Sequence, residues 1–427
     1  MRTILRAVGL VVVISVFAYT HSAIGQGYGT DLQNVMGPAS GGMAGVSIAR
    51  PQDVPSAIFG NPATLAQFEG TQFTMGGGWI EGYPTVTNDG SLNYSSSGTP
   101  FSATSRSQGS AATEIGLAQD LRSIGLAGTM GMGIAGLSGV GAEYRGRVPE
   151  SSNPLFFNNL NDESSSLLVL GINMGAGFQV TDRLSVGATM TLGSGFEQLG
   201  FIGPITSSAM VNAYALRGTF GVNYELNECN TLGFYYQSPL AFNFPNAIRV
   251  GSNYQDLRVT QPTTFGLGLA NRSLMDGNLL IGADVYYKLW EDAALYQDVL
   301  VNQWAFAIGT QLTRDKMKYR LGYSWNSNPT NHNVGTSFGG IGGLTTDQIQ
   351  FYQASILPFV NQNRITAGIG RQDVLFCGLD LDLFAGGMLP ASDTFGDHNS
   401  ASLAIYYLGL GMTWRYDASK QSANMEK

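Results

Sequence analysis

Residues 168–199 read LVLGINMGAGFQVTDRLSVGATMTLGSGFEQL, and every even position from Leu168 to Val180 is apolar. Gly171, Asn173, Gly175, Gly177 and Gln179 lie between them. A period of two is the signature of a strand with unlike faces. After Thr181-Asp182-Arg183 the phase resumes with Leu184, Val186, Ala188, Met190, Leu192 and Phe196. Opposite these stand Ser185, Gly187, Thr189, Thr191, Gly193, Gly195 and Glu197. The stretch is therefore one long hairpin with an apolar face and a small or polar face.

The pattern recurs along the chain. Tyr214, Leu216, Phe220, Val222 and Tyr224 form one apolar face, with Arg217, Thr219, Asn223 and Glu225 opposed. Leu279, Ile281, Ala283, Val285, Tyr287 and Leu289 form the next, with Asp284, Tyr286 and Lys288 between them. Trp304 to Leu312, Tyr319 to Trp325 and Ala404 to Tyr416 continue it. A soluble sandwich also alternates, but these strands exceed the usual five or six residues and carry aromatics near their ends. Turns alternate between short (181–183, 313–316) and long (81–110, 327–361). These features predict an all-β, transmembrane antiparallel β-barrel of about fourteen strands from Gln72 to Tyr416.

Composition agrees. Charged residues are 12% of the 427, against about 25% in soluble domains. Mean hydropathy is only +0.02, and no segment after the N-terminus gives 18 uninterrupted apolar residues. The formal charge of -8 argues against a nucleic-acid partner. Residues 1–25 combine Arg2 and Arg6, an apolar run and Ala23-Ile24-Gly25, the pattern of a secretory signal cleaved before Gln26. Cys229 and Cys377, 148 positions apart, are expected as free thiols that are buried or face lipid.

Residues 26–70 do not alternate. They are rich in Gly, Ala and Pro, yet Ile58, Phe59, Leu65 and Phe68 need a packing surface. Asn61-Pro62-Ala63 reads as a helix start, with Asn at the N-cap and Pro at the first helical position. A compact plug inside a barrel mouth satisfies both features, giving a hatch at 26–70, a barrel at 71–417 and a polar tail at 418–427.

The run GPASGGMAGVSIARPQDVPSAIFGNPATLAQF, followed by the strand QFTMGGGWI, resembles the hatch and first strand of the FadL/TodX family of outer-membrane transporters for hydrophobic compounds. The strand-to-loop segment LGYSWNSNPT near residue 325 is also similar. The resemblance implies a plugged 14-stranded barrel in the outer membrane, placed there by barrel assembly machinery. It implies passive uptake of a hydrophobic ligand, foremost a long-chain fatty acid, with aromatic hydrocarbons as the alternative. The ligand would be captured outside, held in an apolar pocket and released sideways into outer-membrane lipid at a kinked third strand. The Gly-rich run with Gly125, Gly128, Gly131, Gly133, Gly136, Gly139 and Gly141 occupies that position, where glycines mark bulges or pack against the hatch. Its Gly131-x-Gly133-x-x-Gly136 spacing lacks the strand-then-helix setting of a dinucleotide site.

The chain departs from the family in its polar tail after Trp414-Arg415-Tyr416 and in a short third external loop near 200–208. In the long loop before the twelfth strand, Ile349, Tyr352 and Ile356 fall at helical spacing, as an external capture surface or a cover for the mouth. No catalytic, metal-binding or cofactor pattern emerges: His332 and His398 lie in predicted loops, and His21 falls in the signal. Among inward-facing charges (Arg217, Asp284, Lys288, Arg320), the cations either hold a ligand carboxylate or pair with acids and the plug. The chain is expected to act as a monomer, and a general porin is the less favoured reading.

Overall fold

The computed structural model describes residues 36–90, 100–107, 109–144, 147, 164–199, 205–207, 210–250, 252–360 and 362–416. The expected signal, the first part of the hatch and the polar tail lie outside them.

Fourteen long strands form a closed antiparallel barrel. They are β1 (Thr71–Gly82), β2 (Ser110–Asp120), β3 (Gly128–Glu143), β4 (Ser164–Gln179) and β5 (Leu184–Leu199). Next come β6 (Val211–Asn227), β7 (Asn230–Gln237), β8 (Thr263–Leu274), β9 (Leu279–Leu289) and β10 (Gln303–Arg314). The last four are β11 (Met317–Asn326), β12 (Asn363–Arg371), β13 (Leu379–Phe395) and β14 (Asn399–Arg415). Pairing of β1 with β14, from Gln72 opposite Arg415 to Gly82 opposite Ile405, closes the ring. The connections 180–183, 228–229 and 315–316 are tight turns at one end. The long connections 83–109, 238–262 and 327–362 gather at the other.

The alternation places its apolar face outside. Leu170, Ile172, Met174 and Phe178 of β4 are exposed, as are Met190 and Leu192 of β5. Trp79, Tyr406, Trp304 and Trp325 ring the long-loop end, and Tyr319, Trp414 and Tyr416 the turn end. An apolar band this continuous between two aromatic rings is a lipid-facing surface. Neither cysteine is in a disulfide, and both sit in the short turns, Cys229 half-buried and Cys377 exposed, rather than buried or facing lipid.

Inside, the wall is lined by small residues because the hatch fills the half nearer the short turns. Gly177, Gly187 and Gly221 stand side by side on β4, β5 and β6. A β-carbon at Gly187 or Gly221 would overlap Pro62 or Asn61. Across the barrel Gly282, Gly309 and Gly322 form a second row on β9, β10 and β11. Val46 packs on the first of these, and the backbone at Met43 on the other two. Gly187→Val should therefore unseat the Pro62 segment, at a cost of about 1–3 kcal/mol for overpacking. The barrel should still migrate as a folded, heat-modifiable species, while its leak conductance in planar bilayers rises.

Candidate functional site

The hatch is built from three short turns of helix. The first is a 3-10 turn at Ser40–Met43, the second is α1 (Val54–Phe59), and the third is a 3-10 helix at Pro62–Gln67. Asp53 organises the first two. Its side chain caps α1 through Ser56 N at 2.9 Å and accepts from Ala39 N and Ser40 N, each at 2.9 Å.

The helix start read at Asn61 is present, and its Oδ1 accepts from Ala63 N at 3.1 Å. The winding is 3-10 rather than α, with Thr64 N bonded to Asn61 O and Phe68 N to Leu65 O. That tighter helix advances about 2.0 Å per residue instead of 1.5. It carries the chain from the Gly177–Gly187–Gly221 row toward β1 in six residues. Asn61 Nδ2 also donates to Ile48 O at 2.8 Å and to Val222 O of β6 at 3.1 Å. One side chain thus ties two parts of the hatch to the wall.

The wall supplies the remaining anchors. Asp284 Oδ2 accepts from Ser47 N at 2.7 Å and Ile48 N at 3.1 Å. Arg364 donates to Ala44 O, and Thr366 Oγ1 accepts from Ala44 N, both at 2.9 Å. Asp284 was legible as an inward charge; Arg364 and Thr366 were missed, because nothing in a strand marks which polar residue meets the plug. Of the three cations singled out, Arg320 is buried against Asp382 and donates to Gln311 at 2.7 Å. Arg217 and Lys288 are buried on separate strands, and the structure does not bring the three together.

β3 departs from regular pairing within the glycine run, and few of those glycines sit at the irregularity. Gly125 lies in the turn before the strand, with φ +85. Gly131 and Gly133 make room for Leu65, Ile58 and Phe59 of the hatch. The irregularity falls between Gly136, opposite Leu170, and Ser138, opposite Val169, which leaves Leu137 as a bulge. β2 pairs with β3 only from Asp120–Thr129 to Glu114–Ala135. Among the described residues no ladder joins 110–113 to 136–140. Pairing resumes higher up, where Arg106 N donates to Glu143 O at 2.7 Å and Ser107 Oγ to Gly141 O at 3.2 Å. The β2–β3 ladder is therefore interrupted over a bounded stretch beside the bulge.

The mouth is covered. The hairpin of Leu240–Val250 and Asn253–Gln261 buries Phe242, Phe244, Leu257 and Val259 and presents Asn243 and Asp256 to the outside. Beside it lies α2 (Thr346–Ile356), started by a capping box in which Thr345 and Gln348 satisfy each other's amide groups. Ile349, Tyr352 and Ile356 are buried, so they form no open external surface; every residue from 349 to 356 is buried, and the helix is covered on all its faces. Beneath it a narrow cleft is lined by Val140 of β3, Ser165 and Leu167 of β4, Glu197 of β5, Val259, Leu295 and Tyr296. Val140 stands at the upper edge of the gap. His398, between β13 and β14, contacts Asp89 at 2.9 Å and pins the first long loop at the rim.

No protein-family model and no curated protein matches the chain. Solved structures do. The P. putida toluene transporter TodX aligns with a TM-score of 0.66 and 18% identity, covering 90% of this chain and 99% of TodX. A Pseudomonas aeruginosa FadL homologue gives 0.65 and 14%, covering 89% and 98%. The Ralstonia pickettii toluene transporter TbuX gives 0.60 and 17%, covering 90% and 99%. The chain has the fold of FadL/TodX-type outer-membrane channels, as the resemblance in its sequence implied.

Asn61→Ala removes one cap and two tethers at once. It should raise leak conductance while the barrel still assembles, and unchanged conductance would separate the motif from plug seating. The Asp89 contact raises the pKa of His398 above its ordinary value of 6.5, first through the hydrogen bond and then through charge. Its stabilisation is complete below about pH 6.5 and is lost as pH rises through the raised value. Amide protection factors at residues 85–90, taken relative to the intrinsic exchange rate at each pH, should therefore be higher at pH 6 than at pH 8.5, with the difference absent in His398→Ala.

Proposed function

We propose that the protein is a non-catalytic outer-membrane channel that passes neutral apolar molecules from outside the cell sideways into the bilayer. The observation that carries this reading is the end of the β2–β3 ladder at Ala135, beside the bulge that Leu137 makes against β4 and near Val140 of the cleft. A greasy molecule gains nothing from a watery pore. Moving from an apolar cleft to hydrocarbon keeps roughly 0.8 kcal/mol per methylene that water contact would forfeit. The hatch, held on both sides of the lumen, blocks the straight route. That favours lateral passage over a general porin.

Fatty acids and hydrocarbons are both carried by such a path. Neutral cargo is favoured because no Lys or Arg lines the cleft among the described residues. The protein acts as a monomer in this reading, inserted by barrel assembly machinery, with membrane lipid at the gap as its receiving partner.

Deleting Leu137 tests the proposal. Removing one residue cancels the register shift between β3 and β4, and the straightened β3 should then pair with β2 past Ala135. Uptake of naphthalene by cells carrying this variant should fall at least about tenfold. Folded barrel in the outer membrane should be unchanged. Native uptake with the bulge deleted would overturn lateral release.

A further inference from the structure

Leu137, the bulged residue of β3, has a seat on the neighbouring strand. A β-carbon at Gly171 of β4 would lie 2.5 Å from Leu137 Cδ1 and 2.8 Å from its Cγ, and the three atoms nearest that position all belong to Leu137. Gly171 is buried on the lumen side, directly opposite Ala135, the last residue of β3 that pairs with β2. Glycine weakens a strand, so one inside a wall strand often marks a close approach. Here the approaching group is the side chain of the bulge.

The two edges of the interrupted ladder are otherwise built of small residues. β2 contributes Ser110, Ala111, Ala112 and Thr113, and β3 contributes Gly136, Ser138 and Gly139. A β-carbon at Gly136 would meet nothing within 4 Å. Leu137 is thus the one bulky side chain between Ala135 and Val140, and it lies over Gly171. Its other directions are occupied. Ile58 and Phe59 of the hatch cover Gly133 on one side, and Val140, Leu167 and Val169 belong to the same buried core on the other. Gly193 of β5, which pairs with Gly171, is covered by Leu240 and Phe242 of the mouth hairpin. A Leu137 side chain displaced from its seat is therefore left with the interrupted stretch to turn into.

We propose that Gly171 is a positioning residue for lateral release: it seats Leu137 against β4 and so keeps the stretch between β2 and β3 clear for the departing molecule. This deepens the channel reading and rests on it. A side chain at position 171 claims the volume that Leu137 fills, and a close-packed interior holds no spare room for both. The flexible end of Leu137 yields before either strand backbone does. The exit is then obstructed with bulge, register and hatch all in place, which separates the seat from the bulge itself.

Uptake of naphthalene and of benzene by cells carrying the full-length protein, each corrected for folded barrel in the outer membrane, tests this. Gly171→Val should lower naphthalene uptake about tenfold, as two side chains compete for one space. Benzene, the smaller molecule, should lose less, so the naphthalene-to-benzene ratio falls. Adding Leu137→Ala, which keeps the residue count of the bulge but removes the displaced group, should restore both to within about twofold of native, the coupling expected of residues in contact. Gly171→Ala serves if the valine variant does not fold, and should show the same loss in weaker form. Native uptake by folded barrels of both variants would overturn the seat. So would a loss that Leu137→Ala fails to rescue, or an equal loss of both ligands, since a distorted strand gives those results. Deleting Leu137 distinguishes the two readings. If the deletion lowers uptake and Gly171→Val does not, the seat alone falls; if the deletion leaves uptake native, lateral release falls with it.

Discussion

The hatch backbone packs directly on the barrel wall. Pro62 and Ala63 rest on Gly177, Gly187 and Gly221, and Met43 and Ala44 rest on Gly309 and Gly322. Each of these glycines occupies an inward position where a side chain would push the plug off its seat. Glycine inside a strand costs roughly 0.5–1 kcal/mol relative to alanine. A row of three neighbouring glycines is therefore a sustained concession. The plug offsets it by backbone packing and by hydrogen bonds from its irregular main chain to the wall. The rows and the plug are only intelligible together: without the plug the glycines weaken the sheet, and without the glycines the plug does not fit.

The same requirement explains the polar residues of the lumen. A chain segment with little regular structure carries backbone groups that the barrel interior would leave unpaired. Asp284 takes two of them, Arg364 and Thr366 take the two ends of Ala44, and Asn61 takes Ile48 O while bonding Val222 O. Arg320, buried against Asp382, shows the alternative fate of a lumen charge, which is to be neutralised by a neighbouring strand. Inward charge here chiefly holds structure; among the described residues Glu114 and Glu197 are buried acids with carboxyl oxygens that have no partner.

Much of the barrel was legible in the sequence because lipid imposes a strict period of two on each wall strand, as in Leu168 to Val180. Asn61-Pro62 was legible for a similar reason, since cap and proline chemistry act within three residues. The bend in β3 was legible only as a region. Seven glycines marked it, but Gly131 and Gly133 serve the hatch, and the shift falls at Leu137, a residue with no local signal. The direction of α2 was hidden as well. Its apolar stripe fits an exposed capture surface and a lid equally well until the Leu240–Val250 hairpin is seen closing the mouth beside it. Glu197 reads as one more polar position in an alternating strand. Its isolation depends on what Tyr296 and α2 bring over it from 100 and 150 residues away.

The interrupted pairing beside Leu137 is subject to a strict constraint. An open wall strand in a bilayer exposes backbone groups that hydrocarbon cannot satisfy. The break is tolerable because it is short and bounded, by Glu114–Ala135 below and by the 105–107 segment above. An apolar ligand leaving through it meets lipid without crossing water, so the exit alone cannot distinguish one hydrophobic molecule from another.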